Sequence, residues 1–150
     1  MTKQTYQYKH DYPSDLTDEE WQRLEPLLGL DPEEPARKHP MRDVVDGIFY
    51  FNRAGCAWRY IPGDLPPWKR IQYYFYKWTK DGTWERINGV LRRQVRVKAG
   101  KDPEPTAGSV DAQSVKTTEK RGIPETSATT LARKLKVVND TFLLIRSASS

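Results

Sequence analysis

Residues 41–80 read MRDVVDGIFYFNRAGCAWRYIPGDLPPWKRIQYYFYKWTK, and this stretch decides the fold. Its first part predicts a helix over Met41–Arg53, in which apolar residues recur at helical spacing. These residues are Val44, Val45, Ile48 and Phe49. A rigid aromatic turn rich in proline and glycine follows, and Pro67 suits the first position of a second helix over Trp68–Lys80. Two helices joined in this way predict a mainly α protein with a helix-turn-helix-like unit, although the connection is longer than in the compact motif.

The flanking sequence extends this helical domain to residues 15–98. Thr17-Asp18-Glu19-Glu20 has the form of a capping box, which predicts the start of an earlier helix. Thr83 is predicted to cap a last helix running from Trp84 to about Lys98. Residues 1–14 are expected to form a flexible N-terminus, and residues 99–108 (AGKDPEPTAG) have the composition of a linker. The aromatic residues assigned to the core are Trp58, Trp68, Tyr74, Phe75 and Trp78, together with Trp84 on the inward face of the last helix.

The net charge of +5 is unevenly distributed along the chain. Residues 37–101 carry 15 basic and 5 acidic side chains, a net charge of +10, so this part is where a polyanion would bind. The candidate contacts to double-stranded DNA are Arg59, Lys69, Arg70, Gln72, Tyr73, Lys77, Arg92, Arg93 and Arg96. An ordinary solvated basic surface remains the alternative interpretation of these side chains.

Composition excludes several other classes of protein. A single cysteine, Cys56, excludes an internal disulfide bond and fits a reducing cytoplasm. Two histidines and one cysteine are too few for a typical structural zinc site. No apolar run approaches the length of about 18 residues that a membrane span needs, so we expect a cytoplasmic protein with no membrane partner.

Residues 109–116, SVDAQSVK, predict one short strand that carries the carboxylate of Asp111. An acidic side chain on a strand is how metal-dependent phosphoryl-transfer enzymes begin their metal site. One carboxylate cannot hold two metal ions, and taken alone such an aspartate is more often an edge or turn residue. Beyond this strand no clear period organises the sequence before the apolar stretch Thr141–Ile145.

Four blocks together resemble transposases of bacterial insertion sequences, specifically of insertion-sequence family five. The blocks are DLTDEEW (15–21), RDVVDGIFY (42–50), GCAWRYIP (55–62) and VDAQSVKT (110–117). The resemblance implies an N-terminal helical domain that binds the ends of the element. It also implies a ribonuclease-H-like α/β domain, beginning here at residues 109–121, with an Asp-Asp-Glu triad that uses Mg²⁺ to cut and join DNA. By this resemblance Asp111 is the first catalytic carboxylate and a metal ligand.

The resemblance stops at about Arg121. Ordinary codons can be chosen for residues 127–146 and translated in the reading frame shifted back by one nucleotide. The shifted translation then contains a segment similar to the one that follows the first aspartate in the family. We therefore expect residues 122–150 to be an out-of-frame and poorly ordered tail. On this interpretation the second Asp and the Glu of the triad are absent, so the chain alone would need no Mg²⁺ and would be catalytically incomplete.

Three functions remain open at this point. The first is the DNA-binding portion of a transposase that recognises terminal inverted repeats, with full-length transposase or a second copy as a partner. The second is a regulator that occupies the same DNA ends and inhibits transposition. The third is a helical module whose aromatic surface binds protein.

Overall fold

The computed structural model describes residues 7–30, 38–104 and 127–149, and within these ranges the chain is helical and contains no strand. The mainly α prediction is therefore confirmed. The helices are α1 (Asp18–Leu24), α2 (Met41–Ala54), α3 (Trp68–Lys80), α4 (Thr83–Lys98) and α5 (Ser127–Ser149), with short 3₁₀ turns at Glu25–Leu28 and Trp58–Tyr60. None of these helices is long and apolar enough to cross a lipid bilayer.

Local signals set the ends of the first helices. The capping box is confirmed at α1, because the Thr17 hydroxyl accepts a hydrogen bond from the Glu20 amide and the Glu20 carboxylate accepts one from the Thr17 amide. Helix α2 ends at Gly55, whose φ of 64° is a left-handed conformation that favours glycine. The prediction that Thr83 caps α4 is wrong. Thr83 lies inside the helix, and Asp81 accepts hydrogen bonds from its amide and its hydroxyl.

The core forms where α2, α4 and α5 meet. The Phe49 ring on α2 lies with its centroid 6.0 Å from the Trp84 ring on α4 and 5.0 Å from the Phe142 ring on α5. Helix α3 packs closely on the neighbouring part of α2, where Gly47 faces the buried side chain of Ile71. A β-carbon at Gly47 would stand 2.3 Å from Cδ1 of Ile71, so this contact requires glycine.

The aromatic residues assigned to the core divide into two groups. Tyr74, Phe75 and Trp78 on α3 are buried, as predicted. Trp58 and Trp68 are only half-buried, so their assignment to the core needs correction. The Trp58 ring stacks on Phe51 with its centroid 3.5 Å away, whereas Trp68 begins α3 at the edge of the domain.

The expectation of a poorly ordered tail is corrected for residues 127–149, which form α5. Its apolar residues recur at alternating spacings of four and three, so they share one helical face. They are Leu131, Leu135, Val138, Phe142 and Ile145. The last three of them are buried, and the helix packs against α1, α2 and α4. The burial of this face explains why the segment orders, since hydrophobic burial offsets the entropy lost when the chain becomes helical.

The N-terminal segment also differs from expectation in its described part. Residues 7–14 make defined contacts: Tyr8 hydrogen-bonds His39, and His10 reaches Asp43 on α2. These polar contacts tie the segment to the domain, so its flexibility was overestimated for these residues. The predicted strand at residues 109–116 lies outside the described residues, as do positions 105–108 of the predicted linker.

Candidate nucleic-acid interface

Helix α3 has one buried face and one exposed basic face. Ile71, Tyr74, Phe75 and Trp78 point into the core. The exposed face carries a group of residues at helical spacing, which we call the α3 stripe. Its members are Lys69, Tyr73, Tyr76, Lys77 and Lys80. Arg70 is also exposed, whereas Gln72 is half-buried. The structure therefore places Lys69, Tyr73 and Lys77 of the predicted contacts on one continuous surface.

Sequence reasoning missed Tyr76 and Lys80 as members of this surface. The Tyr76 side chain is 39% exposed and that of Tyr73 is 55% exposed, which is unusual for large aromatic residues on a helix that also fills a core. Tyr76 follows Tyr73 by three positions and Lys80 follows Lys77 by three, so helical spacing would have found both residues. An exposed surface that alternates cations and aromatic rings suits a nucleic acid, because its backbone is anionic and its bases are flat.

Aromatic rings lie beside three of the predicted cationic contacts. The guanidinium of Arg59 is 6.0 Å from the centroid of the Trp68 ring, and Nζ of Lys69 is 5.7 Å from the same centroid. Nζ of Lys77 is 5.7 Å from the Tyr74 ring. Cation–π attraction at this distance restrains long side chains without neutralising their charge. These cations therefore remain available to an anionic ligand.

The arginines of α4 have a different environment. Nε of Arg93 forms an ion pair of 2.8 Å with Glu104, and Nε of Arg96 donates a hydrogen bond of 2.8 Å to the carbonyl of Asp102. Arg92 is exposed. The Arg93 pair is itself exposed and therefore weak, so DNA could replace it. Arg93 and Arg96 are thus occupied by the segment that follows α4.

Helix α5 contributes one more cation at the edge of the stripe. Nζ of Lys134 lies 5.2 Å from the centroid of the Tyr76 ring.

The structure also shows that α2 and α3 pack against each other. Residues 55–67 connect them through the turn Trp58–Tyr60, which is much longer than the 3–4 residues of a compact helix-turn-helix.

Comparison with known proteins supports the resemblance found in the sequence. Residues 16–88 match the model of a protein family described as "Putative transposase of IS4/5 family (DUF4096)". This part of the chain is similar to that transposase family, and we call it the transposase region. No curated protein and no solved structure gives a significant match. The transposase region includes the whole α3 stripe, whereas Arg92, Arg93 and Arg96 lie beyond it.

A second polar cluster joins the segment that precedes α1 to α2. The His10 ring donates hydrogen bonds to Asp15 (2.7 Å) and to Asp43 (2.8 Å), and its side chain is 6% exposed. Burial disfavours the charged ring, but these two hydrogen bonds outweigh it and raise the pKa of His10 above its usual 6.5. Beside them, the buried carboxyl of Asp46 accepts a hydrogen bond from the amide of Leu16. Sequence reasoning missed this cluster, because His10 and Asp43 are 33 positions apart.

One set within this cluster has the chemistry of a cation site. His10, Asp43 and Asp46 each offer a ligand atom, and these atoms lie within 4.8 Å of one another. Both ring nitrogens of His10 already hydrogen-bond carboxylates, so a metal ion would have to break one of those bonds. The arrangement therefore works as a hydrogen-bonded ion network that holds the N-terminal segment on α2.

The cluster predicts a pH dependence of stability that Asp46→Asn should reduce. Burial raises the pKa of Asp46 from 3.8 to about 7, partly opposed by the Leu16 amide. The folded state therefore binds this proton more tightly than the unfolded state, and the contribution of Asp46 to stability falls as pH rises from about 4 to about 7. Asparagine keeps an acceptor for the Leu16 amide without a charge. We expect Asp46→Asn to gain about 4 kcal/mol over the unmodified chain at pH 8, the free energy that corresponds to this change in pKa, and almost nothing at pH 4.

Urea unfolding at several pH values measures this difference. The matched control is Asp18→Asn, because the Asp18 side chain is 83% exposed and its ion pair with Arg42 lies on the surface. The control should follow the pH profile of the unmodified chain. Parallel profiles for Asp46→Asn and the unmodified chain would contradict the prediction.

Asp111, the predicted catalytic carboxylate and metal ligand, lies outside the described residues. Its role therefore stays a prediction from the resemblance.

Proposed function

We propose that the helical domain binds double-stranded DNA at the terminal inverted repeats of an insertion element, with the α3 stripe facing the duplex. One observation carries this proposal: the region that matches the transposase family presents a continuous line of cations and exposed tyrosines on α3. Such a line can follow the phosphates on the edge of a groove while its aromatic and polar side chains reach inward. Arg92 and the rest of α4 would add contacts to neighbouring phosphates.

The proposal covers the binding step of transposition. Cutting and joining of strands, together with the Mg²⁺ that the resemblance implies, would involve Asp111 and further carboxylates. A chain that occupies the inverted repeats without cutting them would also compete with an active transposase for the same ends. A regulatory role would therefore use the same surface as recognition of the repeats.

Single substitutions on α3 test the proposed interface. We expect Lys69→Ala and Arg70→Ala each to weaken binding to a duplex carrying the inverted repeat by about 3- to 10-fold at low salt. Each should also reduce the slope of log affinity against log salt concentration by about one unit, because one phosphate contact is lost. Fluorescence anisotropy titrations at four or five salt concentrations measure both quantities.

The matched control is Lys136→Ala, which removes the same charge from α5. The Lys136 side chain is 76% exposed and pairs with Asp140 one turn later, so its loss should leave the affinity and the salt slope nearly unchanged. Equal effects of all three substitutions would indicate a general charge effect and contradict an interface on α3.

A further inference from the structure

A cavity of about 510 Å³ opens beside the N-terminus of α3. Its size lies within the range of roughly 300–1,000 Å³ that is typical of small-molecule sites. Its apolar lining includes Ile61, Leu65 and Trp68. Tyr8, Lys38 and His39 add polar side chains to the lining, and Tyr8 hydrogen-bonds His39. A lining that combines an aromatic residue with polar side chains suits a flat ligand with polar edges.

The surroundings of the cavity are positively charged. Arg59 and Lys69 both lie beside the Trp68 ring that lines it, at 6.0 Å and 5.7 Å from the centroid. Burial and the nearby charges of Arg70 and Lys38 lower the pKa of His39, which is consistent with a local positive potential. A phosphate group attached to the flat ligand would be attracted to this rim.

We propose that this cavity receives one unpaired nucleotide of the bound DNA, with its base against Trp68 and its phosphate at the cationic rim. The proposal rests on the proposed function, because the α3 stripe would hold the duplex next to the cavity. Lys69 connects the two surfaces, since it begins the stripe and also lies beside the Trp68 ring. The ends of a duplex, and nicks within it, offer such a nucleotide at little cost in base pairing. Stacking of a base on an aromatic side chain increases affinity by roughly 5- to 100-fold.

Three DNA probes of identical duplex sequence test this inference in anisotropy titrations with the full chain. The first is blunt, the second carries one unpaired terminal nucleotide, and the third carries the same overhang without its base. We expect the second probe to bind roughly 5- to 100-fold more tightly than the first. The third should gain only the smaller effect of one added phosphate. Trp68→Ala should reduce the ratio of the affinities for the second and first probes to that for the third and first, whatever its effect on blunt-end affinity, and Trp68→Phe should restore part of the advantage of the base.

A measurement on the unmodified chain does not depend on the folding of a variant. With 2-aminopurine as the unpaired base, stacking on Trp68 should quench its emission when the protein binds. Emission that stays constant at saturation would overturn the proposal.

The remaining outcomes separate this inference from the proposed function. Equal affinity for the blunt and overhang probes would overturn the nucleotide site and leave duplex binding intact. Absence of binding to every probe would overturn both. A further outcome is that Trp68→Ala and Lys77→Ala each weaken the binding of all three probes by the same factor. Trp68 would then only support the structure of α3, and the nucleotide site would be overturned. A free deoxynucleoside monophosphate that bound as tightly as the overhang probe would assign the cavity to a soluble nucleotide instead.

Discussion

Replacement of Ile145 by aspartate is expected to lower the free energy of unfolding by about 3–5 kcal/mol. Ile145 is fully buried on α5, in the same core as Phe49, Trp84 and Phe142. An aspartate there would place a charge in apolar surroundings, or would require the carboxyl to be protonated, and both are costly. Urea unfolding followed by circular dichroism measures the loss. If α5 instead separates as a unit, trypsin should cut rapidly after Lys134 and Lys136, which the docked helix protects.

Leu143→Asp is the matched control, because it makes the same kind of change two positions away on the same helix. The Leu143 side chain is 48% exposed, so the new carboxylate would be solvated and the cost should stay within about 0.5 kcal/mol. Equal unfolding midpoints for Ile145→Asp and Leu143→Asp would show that α5 is not packed in the core.

Helix α5 was not predicted from the sequence. Its apolar residues have a helical period, but serine, threonine and lysine surround them, and the segment follows a stretch with no regular pattern. The surface that it covers is built from α1, α2 and α4, which lie far away in the sequence. Periodicity alone therefore could not show that this face has a partner. The out-of-frame origin of the segment stays a prediction, and it is compatible with a helix, because apolar periodicity and burial do not depend on how a sequence arose.

The first helices could be predicted because each carries its own local signals. The capping box at Thr17, the glycine after α2 and the proline before α3 mark helix ends without reference to the rest of the chain. The basic and polar character of the exposed face of α3 could also be predicted, because it too depends on the local sequence. Its tertiary contacts could not be predicted, since the ion pair of Arg93 with Glu104 depends on how the chain turns after α4, and the contact of Lys134 with Tyr76 forms only when α3 and α5 meet.

Burial of the tryptophans illustrates the same limit and gives the last prediction. The chain has five tryptophans, and the prediction that Trp84 faces inward is confirmed, whereas Trp58 and Trp68, also assigned to the core, are only half-buried. In the structure Trp84 is 1% exposed, with its ring centroid 5.6 Å from that of Trp78 and 6.0 Å from that of Phe49. Trp84→Ala should therefore destabilise the domain by about 3–5 kcal/mol, because it removes apolar burial and leaves a cavity where α2, α3 and α4 meet.

Two comparisons make this prediction specific to the position of the ring. Tyr60→Ala removes an aromatic side chain that is 78% exposed, and it should change the free energy of unfolding by no more than about 0.5 kcal/mol. Trp84→Phe should cost less than Trp84→Ala, because it keeps most of the apolar volume. It also removes the indole N–H, which is buried and has no hydrogen-bond partner among the described residues. Thermal and urea unfolding of the three variants should rank them in the order Tyr60→Ala, Trp84→Phe, Trp84→Ala, from most to least stable. A Trp84→Ala variant as stable as Tyr60→Ala would mean that these helices do not share one core.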